Sequence, residues 1–278
     1  MFKNLTHTYM QGSAVSVTAV HDIDFTIEDG EIFSVIGHTG SGKSTLVQHI
    51  NGILQPTGGS VTVNGLTLDT KANRAKVRQF VGMMFQYPEY QLFDETVYKD
   101  IAFGPTNTGV PADEIEAHVR AAMAQTGLDF DKYAQKSPFE LSGGEKRRVA
   151  IAGILASSPK VLVLDEPIAG LDPRGRSETL RLIQELNQSG MTIVLISHNM
   201  EDVFSLSTRV AVLSQGRLLR MGTPREVFED SEQLLNSGLD VPASARLALK
   251  LREKGLPVPQ DCLEADEIIR YLRGVCNV

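Results

Sequence analysis

A glycine-rich segment of this chain has the residue types and the spacing of a phosphate-binding loop. Residues 37–44 read Gly-His-Thr-Gly-Ser-Gly-Lys-Ser, directly after the apolar run Ile32–Ile36 and directly before a helical pattern. Glycines there let backbone N–H groups turn toward a phosphate, and the start of the helix adds the positive end of its dipole. We expect Lys43 to reach the β- and γ-phosphates of a nucleotide and Ser44 to place its hydroxyl on Mg²⁺.

Two carboxylates at the end of another apolar run would supply the second part of this chemistry. Residues 162–164 are Leu-Val-Leu, and Asp165 and Glu166 follow at the expected carboxyl edge of a parallel sheet, where such sheets bind ligands. Asp165 is the predicted magnesium partner. Glu166 is predicted to act on the water that attacks the γ-phosphate, as a general base or as a water-orienting group. An acidic pair after a strand is often only solvated loop, but the phosphate-binding loop favours the catalytic interpretation.

A second anion-binding segment lies further along the chain. Leu141-Ser142-Gly143-Gly144-Glu145 opens a helical stretch in which Ser142 is a natural N-cap, and the N–H groups of Gly143 and Gly144 lie at the positive end of the helix dipole. One nucleotide needs one phosphate-binding loop, so we expect this surface to meet something outside the chain. An ordinary capped surface helix would account for the Ser-Gly-Gly sequence taken by itself. With residues 146–150 behind it, the whole segment resembles the signature of the ABC ATPases.

The resemblance to ABC ATPases implies a P-loop NTPase fold, ATP and Mg²⁺ as ligands, and ATP hydrolysis. In this family the signature of one subunit closes over ATP held by the P-loop of the other, in a head-to-tail dimer. Two positions depart from the family pattern, because Glu145 stands where Gln is common and Ile168 where Thr is usual. Neither departure removes a group from the predicted chemistry.

The same resemblance assigns further site residues. Gln86 resembles the Q-loop glutamine at the metal or the attacking water, Asp172 the D-loop aspartate between subunits, and His198 the switch histidine at the γ-phosphate. Tyr9 stands where the family stacks a ring on adenine, although its local sequence fits a structural tyrosine nearly as well. The predicted site therefore comprises catalytic Glu166, His198 and Gln86, metal ligands Ser44, Gln86 and Asp165, and nucleotide-binding Tyr9, Gly37, His38, Thr39, Gly40, Ser41, Gly42, Lys43, Ser44 and Thr45.

Residues 85–97 and 100–105 resemble the energy-coupling factor ATPases, a group that includes the ATPases of cobalt and nickel importers. Residues 37–40, 138–141 and 151–156 match more specifically the second ATPase of group-shared vitamin importers. This resemblance implies a motor for vitamin or micronutrient uptake, peripheral on the cytoplasmic face of the cell membrane. Its partners would be a paralogous ATPase or a second copy, a transmembrane coupling subunit and a substrate-binding membrane subunit.

Three acidic residues that follow the predicted Q-loop glutamine are candidates for contact with the coupling subunit. Glu89, Asp94 and Glu95 would suit a basic partner electrostatically, although exposed carboxylates are usually solvated surface. A metal importer's ATPase would differ from a vitamin importer's only in its partners. Two other interpretations are a soluble ABC clamp on DNA or ribosomes, and a nucleotide-dependent scaffold without turnover. The single P-loop and signature disfavour the first, and Glu166 and His198 disfavour the second.

Composition narrows the class of protein. The chain has 27 Lys and Arg against 34 Asp and Glu, a net charge of −7, which disfavours nucleic acid as a partner. No run of about 18 apolar residues is present, and the first residues lack the layout of a secretory signal, so we expect no membrane span. Cys262 and Cys276 have no metal-ligand spacing and are expected to be ordinary reduced thiols.

The elements that must position these residues alternate between strand and helix. The apolar runs 32–36, 161–164 and 192–196 predict a central parallel sheet, with helices over 43–53, 113–126, 143–156 and 174–188. Alternating segments at 2–9 and 20–27 and a turn signal at Asn64-Gly65 predict an antiparallel N-terminal sheet. We therefore expect an α/β ABC ATPase domain over residues 1–223, with a helical signature subdomain over about 87–160. A small helical appendage over 224–278 would either join two ATPases or pack on its own domain as a satellite core.

Overall fold

The computed structural model describes residues 1–276. In chain order the strands β1 to β10 span Phe2–Tyr9, Val17–Phe25, Ile32–Gly37, Gly58–Val63, Leu66–Thr67, Val81–Met84, Val161–Asp165, Thr192–Ile196, Arg209–Ser214 and Arg217–Gly222. The helices α1 to α12 span Lys43–Gln48, Lys71–Val77, Val97–Thr108, Ile115–Gln125, Phe130–Tyr133, Gly143–Leu155, Pro173–Gln188, Met200–Leu206, Pro224–Glu229, Ser231–Asn236, Ala243–Glu253 and Ala265–Cys276.

A six-stranded sheet forms the centre of the molecule, in the order β10-β9-β3-β8-β7-β6. The strands from β9 to β6 are parallel, and only β10 runs antiparallel to its neighbour. The three apolar runs expected in this sheet are β3, β7 and β8, and nearly all of their side chains are buried, as strands covered on both faces require. The predicted parallel core is confirmed.

A four-stranded antiparallel sheet, β2-β1-β4-β5, covers one face of this core. Asn64 and Gly65 join β4 to β5 with φ values of +47° and +74°, the left-handed pair that a two-residue hairpin needs. Phe2 and Phe25 of this sheet pack in one cluster with Phe33 of β3 and with Leu46 and Val47 of α1. The N-terminal sheet, which the sequence predicted, therefore supports the helix that follows the glycine-rich loop.

Helices α3, α4 and α6 pack together on the β6 side of the central sheet. Ile101, Met123 and Val149 share a buried cluster with Leu162 of β7 and Leu195 of β8. The helices predicted over 113–126, 143–156 and 174–188 are present as α4, α6 and α7.

The helix predicted over 43–53 is shorter than expected. The helix α1 ends at Gln48, and the chain then turns through Gly52, whose φ is +68°. The amide oxygen of Asn51 accepts a hydrogen bond from the backbone N–H of Ile53 across this turn. Such local side-chain bonding competes with helix, and it explains the early end.

The C-terminal helices pack on the same chain. Val227 and Phe228 of α9 and Ala245 of α11 share a cluster with Ile36 of β3 and Val203 of α8. A second small cluster joins α11 and α12 through Ala248, Val258 and Ile268. The boundary at residue 224 and a role of this segment in joining two ATPases stay predictions. None of the helices within residues 1–276 combines the length and the apolar character that crossing a membrane requires.

The close contact between β6 and α6 predicts that a side chain added at Gly82 destabilises the fold. A Cβ on Gly82 would lie 2.4 Å from Ile154 Cγ2 and 3.3 Å from Pro159 Cγ. We expect Gly82→Ala to lower the free energy of unfolding by about 1–3 kcal/mol, measured by denaturant titration, because the core has no room for a methyl group. Gly274→Ala is the control, since a Cβ there meets nothing within 4 Å, and an equal loss in both variants would contradict the packing argument.

Candidate nucleotide site

Four neighbouring parallel strands bring the predicted catalytic residues to one edge of the sheet. β3 ends at Gly37, β7 at Asp165, and β8 two residues before His198, and these strands are adjacent through β8. Gln86 follows the end of β6, which pairs with β7. The carboxyl ends of parallel strands form one rim, and ligands of open α/β sheets bind there.

The glycine-rich loop curls tightly at this rim. Gly40 and Gly42 have φ values of +79° and +99°, and a Cβ on Gly42 would lie 2.5 Å from the carbonyl oxygen of Ala19. The ammonium of Lys43 donates hydrogen bonds to the carbonyl oxygens of Gly37 at 2.7 Å and His38 at 3.0 Å. Lys43 is 7% exposed, and burial lowers the pKa of its ammonium, against the attraction of Glu166 and Asp165. The loop therefore holds one buried cation at its centre.

Asp165 lies next to this cation and to the first residues of α1. Burial raises the pKa of the Asp165 carboxyl, while a hydrogen bond with the Ser44 hydroxyl and the charge of Lys43 lower it. A carboxylate and a hydroxyl are oxygen ligands of the kind that Mg²⁺ prefers. Within residues 1–276 no group of three or more His, Cys, Asp and Glu could hold a metal. Asp165 and Ser44 would therefore hold Mg²⁺ together with the predicted ligand Gln86 and the oxygens of a nucleotide phosphate.

Glu166 and His198 form a close pair beside Asp165. Glu166 Oε1 lies 3.3 Å from His198 Nε2, and the Glu166 backbone has a left-handed φ of +54°. Burial raises the pKa of Glu166 to about 7, although a hydrogen bond from the backbone of His198 opposes the shift. Burial, assisted by the charge of Lys43, lowers the pKa of His198. The carboxyl is thus poised to exchange a proton near neutral pH, as a general base requires.

The aromatic ring of Tyr9 lies near the other end of the loop. Its hydroxyl is 3.1 Å from Thr45 Oγ1, and its ring meets the edge of the His7 ring at 4.5 Å between centroids. His7 Nδ1 lies 3.2 Å from Nε2 of His49, which is fully buried, and burial lowers the pKa of His49 to about 4. Sequence reasoning gave neither histidine a role, because only the packing of β1 against α1 brings them together.

Gln86 is exposed and precedes a short 3-10 turn over Pro88–Gln91. Of the carboxylates expected to suit a basic partner, Glu89 is held inside the chain, because its Oε2 lies 3.3 Å from Nη2 of the buried Arg147. Glu95 pairs with Lys99 on the surface. Glu89 and Glu95 are therefore each paired within the chain, and their contact with a coupling subunit stays a prediction. Sequence alone does not show that an arginine of α6 reaches Glu89.

The signature residues are organised by a capping box. Ser142 accepts a hydrogen bond from the Glu145 N–H, and Glu145 in turn accepts from the backbone and the hydroxyl of Ser142 and from the Tyr133 hydroxyl. Hydrogen bonds from Ser142 and Tyr133 lower the pKa of Glu145 to about 2. A Cβ on Gly143 or Gly144 would meet nothing within 4 Å. Contacts within the described part of the chain therefore do not require glycine at positions 143 and 144.

The signature segment Leu141–Glu145 does not join the glycine-rich loop. Leu141 is buried in the helical cluster, and across the described residues no hydrogen bond or ion pair links the segment to residues 37–45. Asp172 caps α7 by accepting a hydrogen bond from the Gly175 N–H at 2.7 Å. Its place between subunits stays a prediction. Cys262 is a free thiol, and the side chain of Cys276 lies outside the part described.

A phosphate-binding loop, a carboxylate pair and a histidine lie on one rim, and a serine-capped helix that begins with two glycines lies elsewhere. Together these features define an ATP-binding cassette. The family model described as ABC transporter matches residues 20–169.

The chain is 49% identical to the energy-coupling factor transporter ATP-binding protein EcfA2 of Caldanaerobacter subterraneus, over 99% of this chain and 98% of that protein. It is 50% identical to the protein of the same description from Clostridioides difficile, over 98% and 97%.

Solved structures agree with this assignment. The cbiO1 protein of Clostridium perfringens, part of the ABC transporter complex cbiONQ, is 37% identical with a TM-score of 0.74, covering 91% of this chain and 96% of that one. The ATP-binding cassette MJ0796, in a dimeric post-hydrolysis state with ADP and Pi, is 26% identical with a TM-score of 0.71, covering 80% and 97%. The chain belongs to the energy-coupling factor transporter ATP-binding proteins, a group of ABC transporter ATPases.

The raised pKa of Glu166 predicts a pH-dependent stability. The pKa of Glu166 is about 7 in the folded chain, above the ordinary value of 4.5 that applies to the unfolded chain. The protonated carboxyl therefore contributes its full stabilisation below pH 4.5, and this contribution is lost as the pH rises through 7. We expect Glu166→Gln to exceed the native nucleotide-free chain in unfolding free energy by about 1–3 kcal/mol at pH 8, with the gap closing toward pH 4.5. Exposed Asp131→Asn is the control, and a gap independent of pH would contradict the assignment.

Proposed function

We propose that this ATPase powers the uptake of vitamins or other micronutrients through a transmembrane coupling subunit and a substrate-binding membrane subunit. The observation that carries the proposal is an aromatic surface directly after Gln86, on a chain of the energy-coupling factor family. Tyr87, Tyr90, Phe93 and Phe103 are 44%, 84%, 59% and 51% exposed.

This aromatic surface has the chemistry of a protein contact. The rings of Phe93 and Phe103 meet edge to face at 5.0 Å, and those of Tyr87 and Tyr90 lie 6.2 Å apart. Exposed aromatic groups in contact with one another are typical of interaction surfaces, where burying each ring stabilises the complex. A coupling subunit bound here would contact the segment that begins at Gln86. The location of the chain is accordingly the cytoplasmic face of the cell membrane.

The rim residues fit ATP hydrolysis. The backbone of the glycine-rich loop and Lys43 would hold the phosphates, with Tyr9 against adenine and Ser44, Asp165 and Gln86 placed to hold Mg²⁺. When bound, this ion neutralises charge on the phosphate oxygens. Glu166 would orient the attacking water and accept its proton, and His198, 3.3 Å away, would fix the Glu166 carboxyl and contact the γ-phosphate.

The second half of each site would come from another chain. Gly143 and Gly144 have open space above them, so their lack of side chains suits close approach by a nucleotide phosphate held in a partner, with Ser142 and the helix dipole facing it. In a head-to-tail pair each signature, Leu141–Glu145, would close the site of the other chain, and Asp172 would lie between the two. The partner would be a paralogous ATPase or a second copy.

A metal importer is the second candidate. It is favoured by residues 85–97 and 100–105, which resemble a group of ATPases that includes those of cobalt and nickel importers. The ATPase chemistry would be the same in both cases, because the rim residues are those predicted to bind nucleotide and Mg²⁺. The two candidates differ in the membrane proteins that accompany the ATPase.

Two substitutions test the nucleotide site. We expect Lys43→Ala to weaken ATP binding about 10-fold or more, because it removes the buried cation of the loop. Glu166→Gln should retain ATP, accumulate as a dimer in size-exclusion chromatography, and lose hydrolysis by at least about 100-fold. Unchanged affinity in the first variant, or full turnover in the second, would overturn the corresponding role.

Co-purification tests the transport proposal. The chain is tagged in its native host, membranes are solubilised gently, and the bound proteins are identified by mass spectrometry. A second ATPase, a coupling subunit and several small membrane proteins are expected for shared vitamin uptake. One dedicated metal-binding membrane subunit would select the metal importer, and ribosomal or DNA-bound partners alone would overturn transport. Loss of the membrane partners from Tyr90→Ser would locate them on the aromatic surface, with exposed Leu219→Ser as the control.

A further inference from the structure

One buried arginine joins three segments of the nucleotide machinery. Arg147, on the signature helix α6, is 3% exposed. Its Nη1 donates to the carbonyl oxygens of Pro167 at 3.2 Å and Ala169 at 3.0 Å, and its Nη2 donates to Glu89 Oε2 at 3.3 Å. The sequence placed Arg147 only within residues 146–150, which extend the resemblance to the signature.

Each of the three partners belongs to a segment with a predicted role. Glu89 lies three residues after Gln86, within the 3-10 turn beside the aromatic surface. Pro167 and Ala169 closely follow Glu166, whose own carbonyl oxygen accepts a hydrogen bond from the Ala169 N–H at 3.2 Å. Arg147 itself stands one helical turn after Gly143. The guanidinium is thus the direct polar link between the Q-loop turn and the backbone behind Glu166.

The chemistry of arginine makes this link stiff. A guanidinium is planar and always charged, and its N–H donors have a fixed fork geometry, so a displacement of one partner changes the bonds to the others. The Glu89 side chain is 21% exposed and that of Arg147 4%, where screening by solvent is weak. A shift of the Q-loop turn would therefore pull on the carbonyl groups of Pro167 and Ala169.

The Arg147 guanidinium also has one N–H donor that makes no hydrogen bond to the described chain. Arg147 Nε is buried, and within the described residues it has no hydrogen-bond partner. The bonds that the guanidinium makes to the chain therefore run through its two terminal nitrogens.

We propose that Arg147 is a positioning residue that transmits displacement of the Q-loop turn to Glu166. The inference rests on the proposed function only for the source of the displacement, namely a membrane subunit bound at the aromatic surface. The link from Glu89 through Arg147 to residues 167–169 is a property of this chain, and it can be tested without that partner.

Hydrogen exchange on the full chain tests the link directly. In Arg147→Met and in Glu89→Ala we expect amides of residues 168–171 to exchange several-fold faster, while residues 37–45 keep their rates. In the double variant the exchange should be no faster than in Arg147→Met, because the two substitutions break one path. Arg120→Met is the matched control, since Arg120 pairs with Glu116 and Asp131 on the surface and touches none of the three segments.

Kinetics separate positioning from a general structural role. In the purified ATPase assembly we expect Arg147→Met to lower kcat by about 10–100-fold, as misplacement of a catalytic group does, with ATP affinity within about 2-fold of the native value. Arg147→Lys keeps the positive charge but loses the planar set of N–H donors, so its kcat should lie between those of the native protein and Arg147→Met. It serves as the test variant if Arg147→Met does not fold.

Three results would overturn the proposal. The first is unchanged exchange at residues 168–171 in Glu89→Ala, the second is additive effects in the double variant, and the third is parallel loss of kcat and ATP affinity. Failure of the transport proposal would be seen separately, as absence of membrane partners from a chain in which this exchange pattern persists.

Discussion

The nucleotide site depends on the side-by-side arrangement of four parallel strands. β3, β8, β7 and β6 are consecutive in the sheet, so the residues that follow them emerge along one rim although they come from distant parts of the chain. Pairing such as Val35 with Ile196 and Leu164 with Leu195 fixes the offset between strands. A slip of one residue would turn Asp165 to the other face of the sheet, because side chains alternate along a strand.

This rim brings charged groups together, and of these Lys43 and Asp165 are buried while His198 is exposed. Lys43, Asp165, Glu166 and His198 shift one another's proton affinities, and for each of the four burial is the largest cause. Burial opposes the ionised form of each group, while the opposite charges of Lys43 and the carboxylates restore part of it. The result is an acid with a pKa of about 7 next to a histidine whose pKa is lowered. The pKa of Glu166 therefore depends on the whole buried group and not on any one residue.

The signature helix combines an outward and an inward role. Its N-terminus is capped internally by Ser142 and Glu145, while Gly143 and Gly144 face open space. The same helix carries Arg147 inward to the Q-loop turn and to the segment after Glu166. One element therefore has an end that faces open space and a buried arginine that connects two predicted catalytic segments of its own chain. The capping box keeps that end rigid, because two reciprocal hydrogen bonds fix the first turn.

The sequence by itself determined the sheet, the antiparallel N-terminal strands and most helices, because hydrophobic period and turn residues are local properties. It also identified the rim residues, since a glycine-rich loop with Lys and Ser in register between strand and helix is specific to phosphate binding. Tertiary structure alone decided that Glu89 pairs with Arg147 and that His7 meets His49. The proton affinity of Glu166 belongs with these contacts, because it is set by burial among groups distant in sequence, which no local pattern encodes.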